Sequence, residues 1–349
     1  MKKQQDKADI ISVARQAKVS PSTVSRSYNH PELVKPATRK KIEKAIQDLG
    51  YVRNRAAQTM HGKRSATIGL VVPTVNNAIF SEVIQSFSEA VDKAGFTLLI
   101  ATHGFDLAQE YALARKFMEH RVDGVALTGL DHLDATYNLI AQQQVPAIQI
   151  WSYASDARLP CIGADNREAG RVAVRHLLAL GHRDIALIFP PLEGNDRARL
   201  RLEGAEEELA GAGVTRIARW QEQAPYSVGQ AKDAAERLLA TPPLPSAILC
   251  ANDVIAQGAI YAAAKLGLRV PEDLSVMGIG DFPGFAEMEP ALSTVRIPAR
   301  RIGEKAGEAL SAAITGATPG GLARARVPVT LMPRGTTRPA TGQSRTGSD

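Results

Sequence analysis

Strand-length apolar runs alternate with helix-length amphipathic runs over most of this chain, and no other feature narrows its fold as far. Residues 66–73, 96–101, 124–128 and 146–151 are apolar runs, with helical spacing over 79–94, 107–120 and 133–144 between them. A second series has strands at 185–190, 217–220, 246–251 and 274–279, and helices at 167–180, 198–212, 229–239 and 253–266. A run apolar on both faces belongs in a parallel sheet covered by helices on both sides. Two such series predict an α/β core of two doubly wound, Rossmann-like parallel-sheet subdomains over residues 66–331, more chain than one sheet would hold.

The first 65 residues follow a different pattern. Asp9 can cap a short helix carrying Ile10, Val13, Ala14 and Ala17, and only Lys18-Val19-Ser20 separates it from a second helix. That is the length of a helix-turn-helix connection. Ser20 is a capping residue, and Pro21 suits a first turn, where a missing N–H costs nothing. Pro21, Ser22, Ser25, Arg26 and Asn29 put small or hydrogen-bonding groups on one stripe, while Val19 and Val24 supply the apolar side. A third amphipathic run, 38–49, carries Ile42, Ala45, Ile46 and Leu49 and closes at Gly50, a natural C-terminal stop. Residues 1–52 therefore form a small three-helix DNA-binding domain, with a linker at 53–65.

Charge agrees. Residues 1–65 hold 15 Lys and Arg against 5 Asp and Glu, whereas residues 66–349 hold 27 against 31. All the net positive charge sits on the head. A polyanionic partner is implied for that segment, bound through a salt-sensitive release of counterions.

The segment Tyr51-Val52-Arg53-Asn54-Arg55-Ala56-Ala57-Gln58-Thr59-Met60-His61-Gly62 follows the third helix. Together with 19–29 it makes the chain resemble the lactose-repressor/purine-repressor (LacI/GalR) family of bacterial transcription regulators, over residues 9 to 331. The resemblance implies a core like that of periplasmic binding proteins and a hinge helix over 54–60. Two hinge helices of a homodimer would enter the minor groove of palindromic double-stranded operator DNA, with Met60 as the apolar wedge and Asn54, Arg55 and Ala57 close to the DNA. It also implies major-groove contacts from the second helix at Pro21, Ser22 and Arg26, with Arg26 able to pair with a guanine; Ser20, Thr23, Ser25 and Asn29 are the further candidate DNA contacts on this helix. Lys18 stands where the family usually has Gly. If its φ is positive, the turn costs on the order of 1 kcal/mol.

Ligands of open α/β sheets bind beyond the carboxyl ends of the strands. There the chain carries Asn77, Phe80, Trp151, an Arg cluster at 197, 199 and 201, Tyr226, Asn252 and Asp281. By the resemblance, Arg201 grips a small-molecule effector, Asn252 is a polar contact, Phe80 lies in a closing loop and Tyr226 is an aromatic wall. Trp151 and Gly280 replace acidic residues that many members carry, leaving Asp281 as the nearest carboxylate. Fewer acids beside an Arg cluster point to an anionic effector, a sugar acid such as gluconate.

Other chemistry finds no support. There is no GxGxxG, GxxxxGK[ST] or HExxH pattern, and no metal-ligand spacing among seven His, so neither an enzyme nor a cofactor is expected. Cys161 and Cys250 suit buried thiols in a reducing cytoplasm. No run is long and apolar enough for a membrane span, and MKKQQDKADI does not read as a signal peptide. Residues 332–349, rich in Pro, Gly, Ser and Thr, predict a disordered tail. The remaining alternative is a cytoplasmic sugar-binding protein with the same two-lobed core and no gene regulation.

Overall fold

The computed structural model describes residues 8–52, 64–215, 217–317, 322 and 324–340. The chain divides into two compact units, Met1–Ser65 and Ala66–Asp349. In the first, α1 (Ile10–Ala17), α2 (Pro21–Asn29) and α3 (Pro36–Leu49) pack around Val13, Ala14, Ala17, Val24, Ile42 and Ala45, all buried. The caps are local chemistry: Asp9 accepts from Ser12 N at 2.7 Å and Ser20 accepts from Thr23 N at 3.2 Å. The hydrogen bonds from Ser12 also hold the Asp9 carboxyl below its ordinary pKa. Lys18 does adopt the left-handed conformation, φ 55°, with the strain that implies for a residue with a Cβ. Gly50, at φ 59°, ends α3 without that cost.

In the second unit two six-stranded sheets form two lobes. The first sheet runs β11-β5-β4-β3-β1-β2, from β1 (Thr67–Val72), β2 (Thr97–Thr102), β3 (Gly124–Thr128), β4 (Ala147–Ser152), β5 (Cys161–Ala164) and β11 (Ala325–Arg326), all parallel. The second runs β12-β10-β9-β8-β6-β7, from β6 (Ile185–Phe189), β7 (Gln221–Gln223), β8 (Ala247–Cys250), β9 (Ser275–Gly280), β10 (Ser293–Arg296) and β12 (Thr330–Met332), parallel except for β12. The helices are α4 (Ala78–Lys93), α5 (Leu107–Glu119), α6 (Asp134–Gln143), α7 (Asn166–Ala179), α8 (Asp196–Gly211), α9 (Val228–Leu239), α10 (Asp253–Lys265) and α11 (Ala299–Thr315). The chain crosses between lobes after β5, after β10 and after β11. α11 returns to the first lobe and packs along α4.

Three expectations change. The strand expected at 217–220 is a 3-10 turn, Ala218–Trp220, with the strand displaced to Gln221–Gln223 at the sheet edge. β5, β10, β11, β12 and α11 were not anticipated from the sequence; several of these strands are too short to show a pattern, whereas α11 carries Ile302, Ala306, Leu310 and Ile314 at helical spacing. The disordered tail expected over 332–349 does not hold for 333–340, which are fastened to the second lobe; residues 341–349 lie outside the described residues. Thr336 is fully buried, its N donates to Ala291 O, its O accepts from Val276 N, and its Oγ1 donates to Val276 O. Ala340 N reaches Leu180 O at 2.8 Å. Polar composition did not mean disorder here, because the backbone found hydrogen-bond partners in the second lobe.

Candidate functional site

On α2 the structure separates two faces. Val24 is buried, while Pro21, Ser22 and Arg26 are exposed and Ser20, Thr23 and Ser25 lie at the helix start or half-buried. Ser20 Oγ lies 2.7 Å from Ser22 Oγ and 2.8 Å from Thr23 Oγ1, so the capping serine organises the neighbouring hydroxyls. This is a polar, exposed helix start on a rigid three-helix support. The side chain of Asn29 lies outside the described residues, as do Asn54, Arg55, Ala57 and Met60 and the hinge helix expected around them.

In the core, the strand ends build a small inner cavity of about 20 Å³ lined by Asn77, Ile79, Phe80, Phe105, Trp151, Arg197, Arg201, Tyr226, Asn252 and Phe282. An outer cleft of about 640 Å³ shares Asn77, Phe105 and Tyr226 with it. The inner space holds about one water molecule. A sugar-sized ligand therefore reaches the inner groups only if the lobes part or the lining side chains rotate.

Each lining residue is set by its element. Asn77 caps α4 through Ile79 N, and the next turn brings Phe80 to 5.3 Å from the Trp151 ring. Trp151, at the end of β4, is buried at φ 81°, a conformation that costs a bulky residue on the order of 1–3 kcal/mol. Asn195 caps α8 through Ala198 N and donates to Tyr226 Oη at 3.0 Å. The Tyr226 ring lies 5.8 Å from Phe105. Asn252 caps α10, its Oδ1 accepting from Ile255 N at 2.9 Å.

Arg201 is almost completely buried; its Nε donates to Asn166 Oδ1 and its Nη1 to Ala251 O, both at 2.9 Å. Burial lowers its pKa to about 10, still high enough to keep the charge at neutral pH. α8 can carry it there because α7 and α8 touch at glycines: a Cβ on Gly204 would meet Arg167 O at 2.0 Å. Arg197 Nη1 donates to Asp196 Oδ1 at 2.8 Å and to Thr128 O at 3.4 Å. Arg199, the third of the cluster, turns away to pair with Asp131 at 2.8 Å and Glu203.

Three buried donors among these residues have no acceptor in the protein: Arg197 Nη2, Trp151 Nε1 and Asn252 Nδ2. An unmet buried donor costs about 1–3 kcal/mol. All three belong to residues that line one small cavity, whose lining therefore offers donors in excess of acceptors.

Asp281 is the correction to the expected site. At φ 60° its carboxylate turns into ion pairs with Arg296 and Arg334, both at 2.6 Å, in a separate groove beside Glu82 and Arg300. Phe282 lines the cavity instead, and its ring occupies the space a Cβ on Gly280 would need, 2.1 Å away. Phe105 was missed in the sequence, and Phe282, one of the residues following a strand end, was not placed in the expected site; a position just beyond a strand is the signal both share.

The lobes meet through α8. Asp196 Oδ2 accepts from Ser152 Oγ at 2.7 Å and from Leu130 N at 3.1 Å, both in the first lobe. Ser152 Oγ in turn accepts from Asn166 Nδ2 at 3.1 Å, which continues the chain of hydrogen bonds to Arg201. Gly129, at φ 100°, permits the approach: a Cβ there would stand 2.5 Å from both Arg197 Nη1 and Asp196 Oδ1.

Next to this chain, Asp253 accepts from Phe282 N at 2.7 Å and Thr294 Oγ1 at 2.6 Å, and burial raises its pKa to about 6. Cys161 and Cys250 are free and buried, and burial pushes both thiols up. Among the described residues no group of His, Cys, Asp and Glu could hold a metal ion, and no helix is long and apolar enough to cross a membrane.

Residues 9–54 match the family model of bacterial regulatory proteins of the lacI family, and residues 174–337 match the periplasmic binding protein-like domain. The chain is 32% identical over 305 residues to the HTH-type transcriptional regulator GntR of Pseudomonas aeruginosa, covering 87% of this chain and 88% of that one. It is 32% identical over 304 residues to the HTH-type transcriptional repressor PurR of Photobacterium profundum, covering 87% and 91%. Among solved structures, the lac repressor dimer bound to operator and the anti-inducer ONPF matches with a TM-score of 0.83 and 28% identity, over 95% of this chain and 100% of that one. Relatives at this identity over so much of the chain leave one conclusion: the protein belongs to the LacI family and is a DNA-binding transcriptional regulator.

Proposed function

We propose that this regulator is a cytoplasmic homodimeric repressor whose grip on a palindromic operator is set by an anionic sugar, a sugar acid such as gluconate. The observation that carries the effector class is the set of three unpaired buried donors, one of them a guanidinium, around a cavity that also holds Arg201. Carboxylate and hydroxyl oxygens would meet those donors, and charge-assisted bonds to arginine are the strongest kind available. Trp151 and Gly280, in place of two carboxylates, leave less repulsion toward an acid.

On the DNA side, the exposed start of α2 supports base contacts by Arg26, Pro21 and Ser22. Asn54, Arg55, Ala57 and Met60 are the residues proposed to enter the minor groove. A dimer matches a two-fold operator because one head reads only half a site. The mechanism is a population shift: ligand binding changes the lobe arrangement, and the lobes bias the paired hinges toward or away from their DNA-bound form.

The test couples two titrations. Operator selected from genomic fragments by the purified protein is titrated by fluorescence anisotropy with and without gluconate, gluconolactone and glucose. A change in operator affinity with the acid alone is the expected result. Binding of an effector without any specific DNA would favour the sugar-binding protein without gene regulation, and a response to neutral sugars alone would overturn the acid.

A further inference from the structure

We propose that Arg197, not Arg201, is the residue that selects an acid over a neutral polyol in this cavity; the inference rests on the reading of the cavity as the effector site. The two arginines are equally buried but differently engaged. Arg201 spends Nε on Asn166 and Nη1 on Ala251 O, bonds that lock its guanidinium into the second lobe. Arg197 spends only Nη1, on Asp196 and Thr128 O, and its Nη2 is buried with no acceptor from the protein.

The carboxylates next in sequence to Arg197 and Asn252, those of Asp196 and Asp253, are already used. Asp196 divides its oxygens among Arg197, Ser152 Oγ and Leu130 N. Asp253 holds Phe282 N and Thr294 Oγ1 and does not reach Arg197. One buried guanidinium donor is thus left beside a cavity whose lining holds no carboxylate; an incoming carboxylate meets it with opposite charge as well as a hydrogen bond, a neutral hydroxyl with the hydrogen bond alone.

The other two unpaired donors do not discriminate in this way. Trp151 Nε1 and Asn252 Nδ2 are neutral N–H groups, which donate to a hydroxyl oxygen as well as to a carboxylate oxygen. They orient the ligand. Arg197 reads its charge, and its guanidinium carbon, 5.7 Å from the centre of the Phe105 ring, sits beside a residue common to the inner cavity and the outer cleft.

The test uses two probes that differ at one carbon: D-gluconate, and D-glucitol, in which the carboxylate is a hydroxymethyl group. Calorimetry on the full-length protein should give wild type at least ~10-fold tighter binding of gluconate, the factor that ~1.4 kcal/mol supplies. Arg197→Met, which keeps the apolar stem, should bring the two ligands to within ~2-fold of each other while glucitol affinity changes little, whereas Arg197→Lys should keep part of the preference. If Arg197→Met weakens both ligands alike, Arg197 is only structural and the proposal is overturned. An unchanged gluconate preference in Arg197→Met overturns it too. Failure of wild type itself to prefer gluconate defeats the acid reading of the effector, which is a separate failure because it shows before any variant is made.

Discussion

On α2, Pro21, Ser22 and Arg26 stand in water, so their polar groups cost nothing while no DNA is bound. In the core, Trp151, Arg197 and Asn252 keep N–H groups out of water with no acceptor, at about 1–3 kcal/mol each. One surface waits for its partner in solvent; the other waits in a strained, desolvated chamber. The difference explains how a single chain can bind a polymer by many weak contacts and a small molecule by few strong ones.

The comparison is tested hardest at Asp196. Asp196→Ala would leave Arg197, Ser152 and Leu130 N short of an acceptor, and removing one partner of a buried pair costs about 3–5 kcal/mol. Hydrogen exchange should rise in peptides from β3, β4 and α8 while those of α1–α3 keep their protection. Equal loss in both units would break the separation between them.

A pH effect of somewhat smaller size is expected at Asp253. Burial raises its pKa from 3.8 to about 6, so between those values the folded protein holds a proton that the unfolded chain has lost. The group costs nothing below the lower value, and its penalty is complete above the upper one. Stability from this group therefore falls as pH rises through that window, by roughly 3 kcal/mol. Urea midpoints of wild type and Asp253→Asn, taken at several pH values between 3.5 and 7 (a window of about those two pKa values), should diverge with that sign. Parallel curves would show that Asp253 titrates normally.

At the exposed site the effects are smaller and local. Arg26→Ala should lose about 1–3 kcal/mol on selected operator and much less on random DNA; equal losses on both would mean that Arg26 touches only phosphate. Ser20→Ala should cost about 1 kcal/mol, seen as faster amide exchange in the first turn of α2 with no change in the core. A change in effector affinity in that variant would contradict the division drawn here.

Much of this was legible in the chain itself. The caps of α1 and α2, the stop at Gly50, the alternation of strands and helices and the basic head all rest on residues within a few positions of one another, so local chemistry was enough to read them. The same locality brought Asn77, Phe80, Trp151, Arg201, Tyr226 and Asn252 to strand ends, and the structure gathers these six in one cavity. Sequence could not tell that Arg199 and Asp281 would be drawn off by Asp131, Arg296 and Arg334, because those partners lie up to 68 positions away.

What the sequence determined alone is the order of elements and the chemical kinds at their ends, since propensity, capping and periodicity act over one or two turns. The tertiary structure decided which of those groups are satisfied. Phe282 fills the space opposite Gly280, Thr336 fastens a polar segment to Val276 and Ala291, and Asp196 joins two lobes while leaving Arg197 one unspent donor. The physical reason is that a hydrogen bond or an ion pair is a property of two groups in space, and only the folded chain brings the second group into reach.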